Sequence, residues 1–103
     1  MAKQIVLSTP NYIIYFEYIF YNTIYPVIVV HCDVVKWNKS IRNLLKIDSF
    51  NLFNKQTKPI LALHNKSDNK HMKFLNIMGF TQYIDEVTIE DGSKLMLFIW
   101  SKQ

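Results

Sequence analysis

Two rhythms of apolar residues run along this 103-residue chain. Ile5, Val6 and Leu7 form a short β-prone run that stops at Ser8-Thr9-Pro10-Asn11, a turn signal. Tyr12 to Tyr21 is dense in aromatics and isoleucine, which favours a strand over a helix. Asn22-Thr23 is a turn candidate, and Val27 to Val35 is almost continuously apolar, as in a strand buried on both faces. The rhythm then changes. Ile41, Leu44 and Leu45 have helical spacing, with Asn38 or Ser40 placed to cap the start. The pattern blurs after Asp48, so this helix is expected to fray or end near Phe53. A short strand, Ile60–His64, follows.

Ser67-Asp68 caps a second helix whose His71, Phe74, Leu75 and Met78 share one face. Gly79 is placed as its left-handed stop, with Phe80 as the hydrophobic follow-on. Two more strands, about 80–90 and 95–100, flank the turn Asp91-Gly92-Ser93. The last has apolar residues of both parities, which fits a strand covered on both sides. The order is β-β-β-α-β-α-β-β in a single domain, residues 1–103. It predicts an α+β fold with two helices on a mixed, mostly antiparallel sheet. Its one parallel crossover runs from Val27–Val35 to Ile60–His64.

Composition refines the picture. Half the residues are hydrophobic, enough for a real core in so short a chain. All basic residues except Lys3, Lys94 and Lys102 lie between Lys36 and Lys73, so the middle is positive and the ends are not. The single Cys32 excludes an internal disulfide framework and suits a reducing compartment. No signal peptide is read at the N-terminus. Glu17, Asn22, Pro26, His31 and Asp33 interrupt the apolar stretch from Tyr12 to Val35, which argues against a membrane span. His31 and Cys32 are adjacent on a strand and so point to opposite faces, which excludes a nucleophile–base pair. The three histidines and one cysteine lack metal-ligand spacing, and no metal is expected.

The strand Leu61-Ala62-Leu63-His64-Asn65, followed by His71-Met72-Lys73-Phe74-Leu75-Asn76-Ile77-Met78-Gly79-Phe80, resembles the later part of the GNAT (GCN5-related N-acetyltransferase) fold. The order of elements resembles it over residues 25–100, and the motif over Asn65–Phe80. The His-hydrophobic-basic-Phe-Leu run, with the Asp91-Gly92-Ser93 hairpin, looks most like small GNAT-like virion and unknown-function proteins of short-tailed phages. What this resemblance implies is a shortened acetyltransferase-like scaffold, found in a virion or in host cytoplasm.

Three departures weigh against acetyl transfer. The turn from Val35 to Arg42 stands where that family brings glycine-lined backbone against the coenzyme A pyrophosphate, yet it holds no glycine and carries Trp37. Many family members place a tyrosine acid four residues before the helix-ending glycine, where this chain has Leu75. The family's first strand and first two helices have no room here. The expectation is a non-catalytic virion-associated structural or assembly protein without a cofactor. The alternatives are a small acetyl-CoA-dependent N-acetyltransferase, with Lys36, Lys39, Ser40, Arg42 and Asn65 contacting the cofactor, and a basic nucleic-acid-binding module. Without that role, Asn65 is a turn residue and His71 a packed helix residue. A protein interface, with a second copy or another virion protein, is expected on Tyr12, Tyr15, Tyr18, Tyr21 and Trp37, because tyrosine-rich surfaces suit such contacts.

Overall fold

The computed structural model describes residues 3–20 and 25–100. Tyr21 and the Asn22-Thr23 turn lie outside the described residues. The elements are β1 (Gln4–Ser8), β2 (Tyr12–Phe20), β3 (Pro26–Val34), α1 (Lys39–Asn54), β4 (Ile60–His64), α2 (Asn69–Met78), β5 (Gln82–Thr88) and β6 (Lys94–Ile99). The strands form a six-stranded sheet in the order β1-β2-β3-β4-β6-β5. Only β3 and β4 pair in parallel; the other neighbours are antiparallel. This is the α+β architecture with a mixed sheet that the order of elements predicts.

Both helices cover one face. Ile41, Leu45 and Phe53 of α1 and Leu75 and Met78 of α2 pack on Tyr12, Ile14, Phe16, Ile28, Val30 and Ala62. Phe53 is the hub, with ring centroids 6.2 Å from Phe16, 5.6 Å from Phe80 and 5.7 Å from Trp100. The other face carries a smaller apolar cluster of Val27, Val29, Leu61 and Leu97, drawn from three strands. Burial of alternate residues on both faces explains why β3 and β6 read as apolar in both parities.

α1 ends at Asn54, beside the Phe53 limit that the pattern predicts, and it stays regular past Asp48, where the apolar spacing blurs. Its buried line is Ile41, Leu45, Ser49 and Phe53, a four-residue spacing carried through a serine, while Leu44 stays exposed. Of the two candidate caps, Asn38 serves: its Oδ1 accepts from the Ile41 N–H at 2.9 Å. α2 stops as expected. Gly79 adopts φ 98°, and the Phe80 N–H reaches the Leu75 carbonyl at 2.8 Å while the Gly79 N–H reaches Asn76 at 3.2 Å. Among the described residues no helix is long and apolar enough to cross a membrane.

Candidate functional site

The parallel pairing at the centre of the sheet is short. β3 and β4 pair only at Ile28↔Ile60 and Val29↔Leu61, although β3 runs on to Val34 and β4 to His64. Beyond Val29 the two strands part. A cleft of about 830 Å³ lies on the helix side of β3 past this point. Cys32 and Val34 of β3, Val35 and Trp37 of the next loop, Arg42 of α1, and Asp68, His71 and Phe74 at the start of α2 line it. Lys70 and Lys73 add two more cations. The first turns of two helices, whose N–H groups carry partial positive charge, thus border the same space as three cationic side chains. Across it, the Trp37 and Phe74 rings meet edge to face with centroids 4.8 Å apart.

His71 lines the cleft and pairs with a second histidine, His64, which does not. His64 ends β4 and is buried; His71 lies in the first turn of α2 and is half-buried. Their Nδ1 atoms are 3.1 Å apart. The ring planes are 22° apart and the centroids 5.3 Å. That centroid distance is close to the N···N distance plus the two ring radii, the most that this nitrogen contact allows. The rings therefore meet nitrogen to nitrogen in nearly one plane and do not lie face on face. Burial, then the neighbouring His64, holds the His71 imidazole below its ordinary basicity, with the Asp68 carboxylate opposing. Cys32 faces the same cleft, but burial and Asp33 push its thiol up to about 11, away from the thiolate a nucleophile needs.

Of the residues expected to touch a cofactor, the structure brings only Arg42 into the cleft lining. Lys36, Lys39 and Ser40 are exposed beside it. Asn65 is exposed too, and its Oδ1 accepts from the Ser67 N–H at 3.1 Å and the Ser67 hydroxyl at 2.9 Å. That is the role of a residue shaping a strand-to-helix turn.

The tyrosines expected to form one interface divide between the two faces of the sheet. Tyr12 is only 1% exposed, and its hydroxyl donates to the Asp48 carboxylate of α1. This corrects the reading of Tyr12 as a surface residue: α1 is long enough to cover it. Tyr18 is half-buried against the same core. Tyr15 points the other way, where Asp33 accepts from its hydroxyl and Glu17 meets His31 Nε2 at 3.0 Å. Trp37 is 40% exposed at the cleft mouth.

The sequence reading missed the parting of the strands, the Tyr12–Asp48 link and the His64–His71 pair. The last had a faint signal. A histidine at a strand end and another in the first turn of the next helix can meet when the turn between them is short and both face the same side. Among the described residues no group of three or more His, Cys, Asp or Glu is placed to hold a metal ion. No family model, curated protein or solved structure matches the chain.

Proposed function

We propose that the protein is a non-catalytic binding and assembly protein, built on a shortened acetyltransferase-like scaffold and acting in a phage particle or its assembly. A single parallel strand pair that parts to open a cleft supports the scaffold reading. The mouth of that cleft carries the functional one. A pyrophosphate cradle needs bare backbone, because N–H groups must approach the phosphates closely. Here Val35, Lys36 and Trp37 put exposed side chains at that turn, and Trp37 reaches across to Phe74. Leu75, four residues before Gly79, is buried in the core and offers no proton.

The surface supports contact with a protein. Leu44, Ile47 and Phe50 are exposed on the outer side of α1. Ile47 and Phe50 also line a groove of about 460 Å³ against Ile77, Met78 and Trp100. In this reading the interface lies on α1 and at the cleft mouth, not on β2. Sedimentation velocity across a concentration series, together with cross-linking to candidate virion proteins, tests it. Association that is lost in Ile47→Lys and Phe50→Lys, with circular dichroism unchanged, is the expected result. A monomer at every concentration with no cross-linked partner rejects the reading.

Arg42, Lys70 and Lys73 favour a second reading, in which the cleft takes the anionic part of acetyl-CoA and the protein is a small N-acetyltransferase. The same three cations are the best-converged charges for a nucleic-acid contact, which a steep loss of DNA binding with salt would reveal.

A further inference from the structure

The pairing of His71, in the cleft wall, with buried His64 has a property beyond any binding role. Two imidazoles that meet Nδ1 to Nδ1 at 3.1 Å hold one proton between them. In the neutral pair one ring donates Nδ1–H and the other accepts on its Nδ1 lone pair. A first added proton goes to the outer Nε2 of the donor ring and leaves this bond in place, now charge-assisted. A second must go onto the acceptor Nδ1. Two N–H groups and two positive charges then face each other, and the bond is gone. A metal ion shared by both rings would need their nitrogens turned to a common point beside them, not towards each other.

We propose that the His64–His71 pair is a proton-operated latch, which holds the first turn of α2 against the end of β4 near neutral pH and releases that wall of the cleft on acidification. The fastening of α2 is uneven, which makes the release local. Its second half is anchored by buried Leu75 and Met78. Its first half joins the sheet through the histidine pair, through Met72, which is only partly buried against the core, and, at the preceding turn, through Lys66, whose Nζ is 3.0 Å from Glu86 on β5. That ion pair is exposed and contributes little.

Burial sets the direction, and the surrounding charges modify it. On α2, the Asp68 carboxylate favours protonation of His71, and Lys70 and Lys73 also border the cleft. From β3, His31 disfavours it, and Cys32 faces the cleft as a neutral thiol. Arg42 comes from α1, and β6 offers only the uncharged Phe98 ring, 6.2 Å from His64. Burial dominates, so the neutral form of His71 is favoured in the closed state. A group held below its ordinary value stabilises above that value and loses the contribution as pH falls through the depressed one. The release window therefore lies below 6.5.

The test follows the histidine ring resonances and the amide exchange of Met72, Lys73 and Phe74 by NMR from pH 8 to 4.5. The expected result is two coupled titration steps. Across the lower one, protection of these amides falls by about tenfold per pH unit after correction for intrinsic exchange, while α1 is unchanged. In His71→Phe, which keeps a ring without the nitrogens, this pH dependence disappears. Independent titration of both histidines at the ordinary value, flat protection through the lower step, or a pH dependence that persists in His71→Phe would overturn the latch. Should His71→Phe not fold, the wild-type titration and exchange alone decide between these outcomes.

Discussion

Gly79→Ala is the sharpest probe of how α2 is joined to the sheet, because the structure separates two costs at this residue. Gly79 sits at φ 98°, where a side chain is strained by about 1–2 kcal/mol. A methyl group there would also stand 2.7 Å from Nε1 and 2.8 Å from Cδ1 of Trp100. Trp100 cannot yield freely, since it is 9% exposed and its ring packs on Phe53. Overpacking of this kind costs about 1–3 kcal/mol more. Gly92 supplies the control: its φ is 85°, yet nothing lies within 4 Å of an added Cβ. Each alanine also recovers about 0.4–1 kcal/mol by restricting the unfolded chain. Gly92→Ala should therefore cost about 1 kcal/mol and Gly79→Ala about 3 kcal/mol. Urea denaturation monitored by far-UV circular dichroism measures both. Equal losses for the two variants would refute the claim that Trp100 is wedged against the helix stop.

Further outcomes follow from individual side chains. Tyr12→Phe removes the hydroxyl that donates to Asp48, leaves the carboxylate half-buried and should cost about 1.5–3 kcal/mol in the same denaturation assay. Ser49 is fully buried in α1 with no hydrogen-bond partner for its hydroxyl among the described residues, so Ser49→Ala should raise stability by about 1 kcal/mol. Cys32, with its thiol pushed up from 9.0 to about 11, should react with iodoacetamide at pH 8 about a hundredfold more slowly than a free cysteine. The same shift favours the neutral thiol in the folded state. Its contribution is present below pH 9 and is lost as pH rises towards 11, which a Cys32→Ala comparison of stability at pH 8 and 10.5 detects.

The elements were legible because local rules set them. Asn38 and Asp68 cap the helices, Gly79 stops α2, and the change from period 2 to helical spacing near Trp37 marks the β-to-α transition. Even the parallel pairing of β3 with β4 could be read, since a helix joins them. Its extent could not. Val30 and Val34 look as strand-like as Val27 and Val29, and nothing in the residues says that pairing stops after two positions. The tyrosine-rich β2 misled for a related reason. Tyr12, Ile14 and Phe16 read as an excess of aromatics awaiting a partner, and α1 supplied it only because Ser49 carries the buried line on to Phe53. His64 and His71 belong to different elements, so their meeting depends on the turn Asn65–Asp68 and not on any periodicity.

The cleft between the parted strands carries the central claim, that this is a binding site and not an acyl-transfer site. Isothermal titration of the protein with acetyl-CoA tests it most directly. The proposal predicts no saturable heat up to about 1 mM ligand, because exposed Val35, Lys36 and Trp37 occupy the turn where an acetyltransferase-like scaffold would need bare backbone for a pyrophosphate. Saturable binding with a Kd of about 10 μM or tighter, weakened in Arg42→Ala and Lys73→Ala, would contradict it.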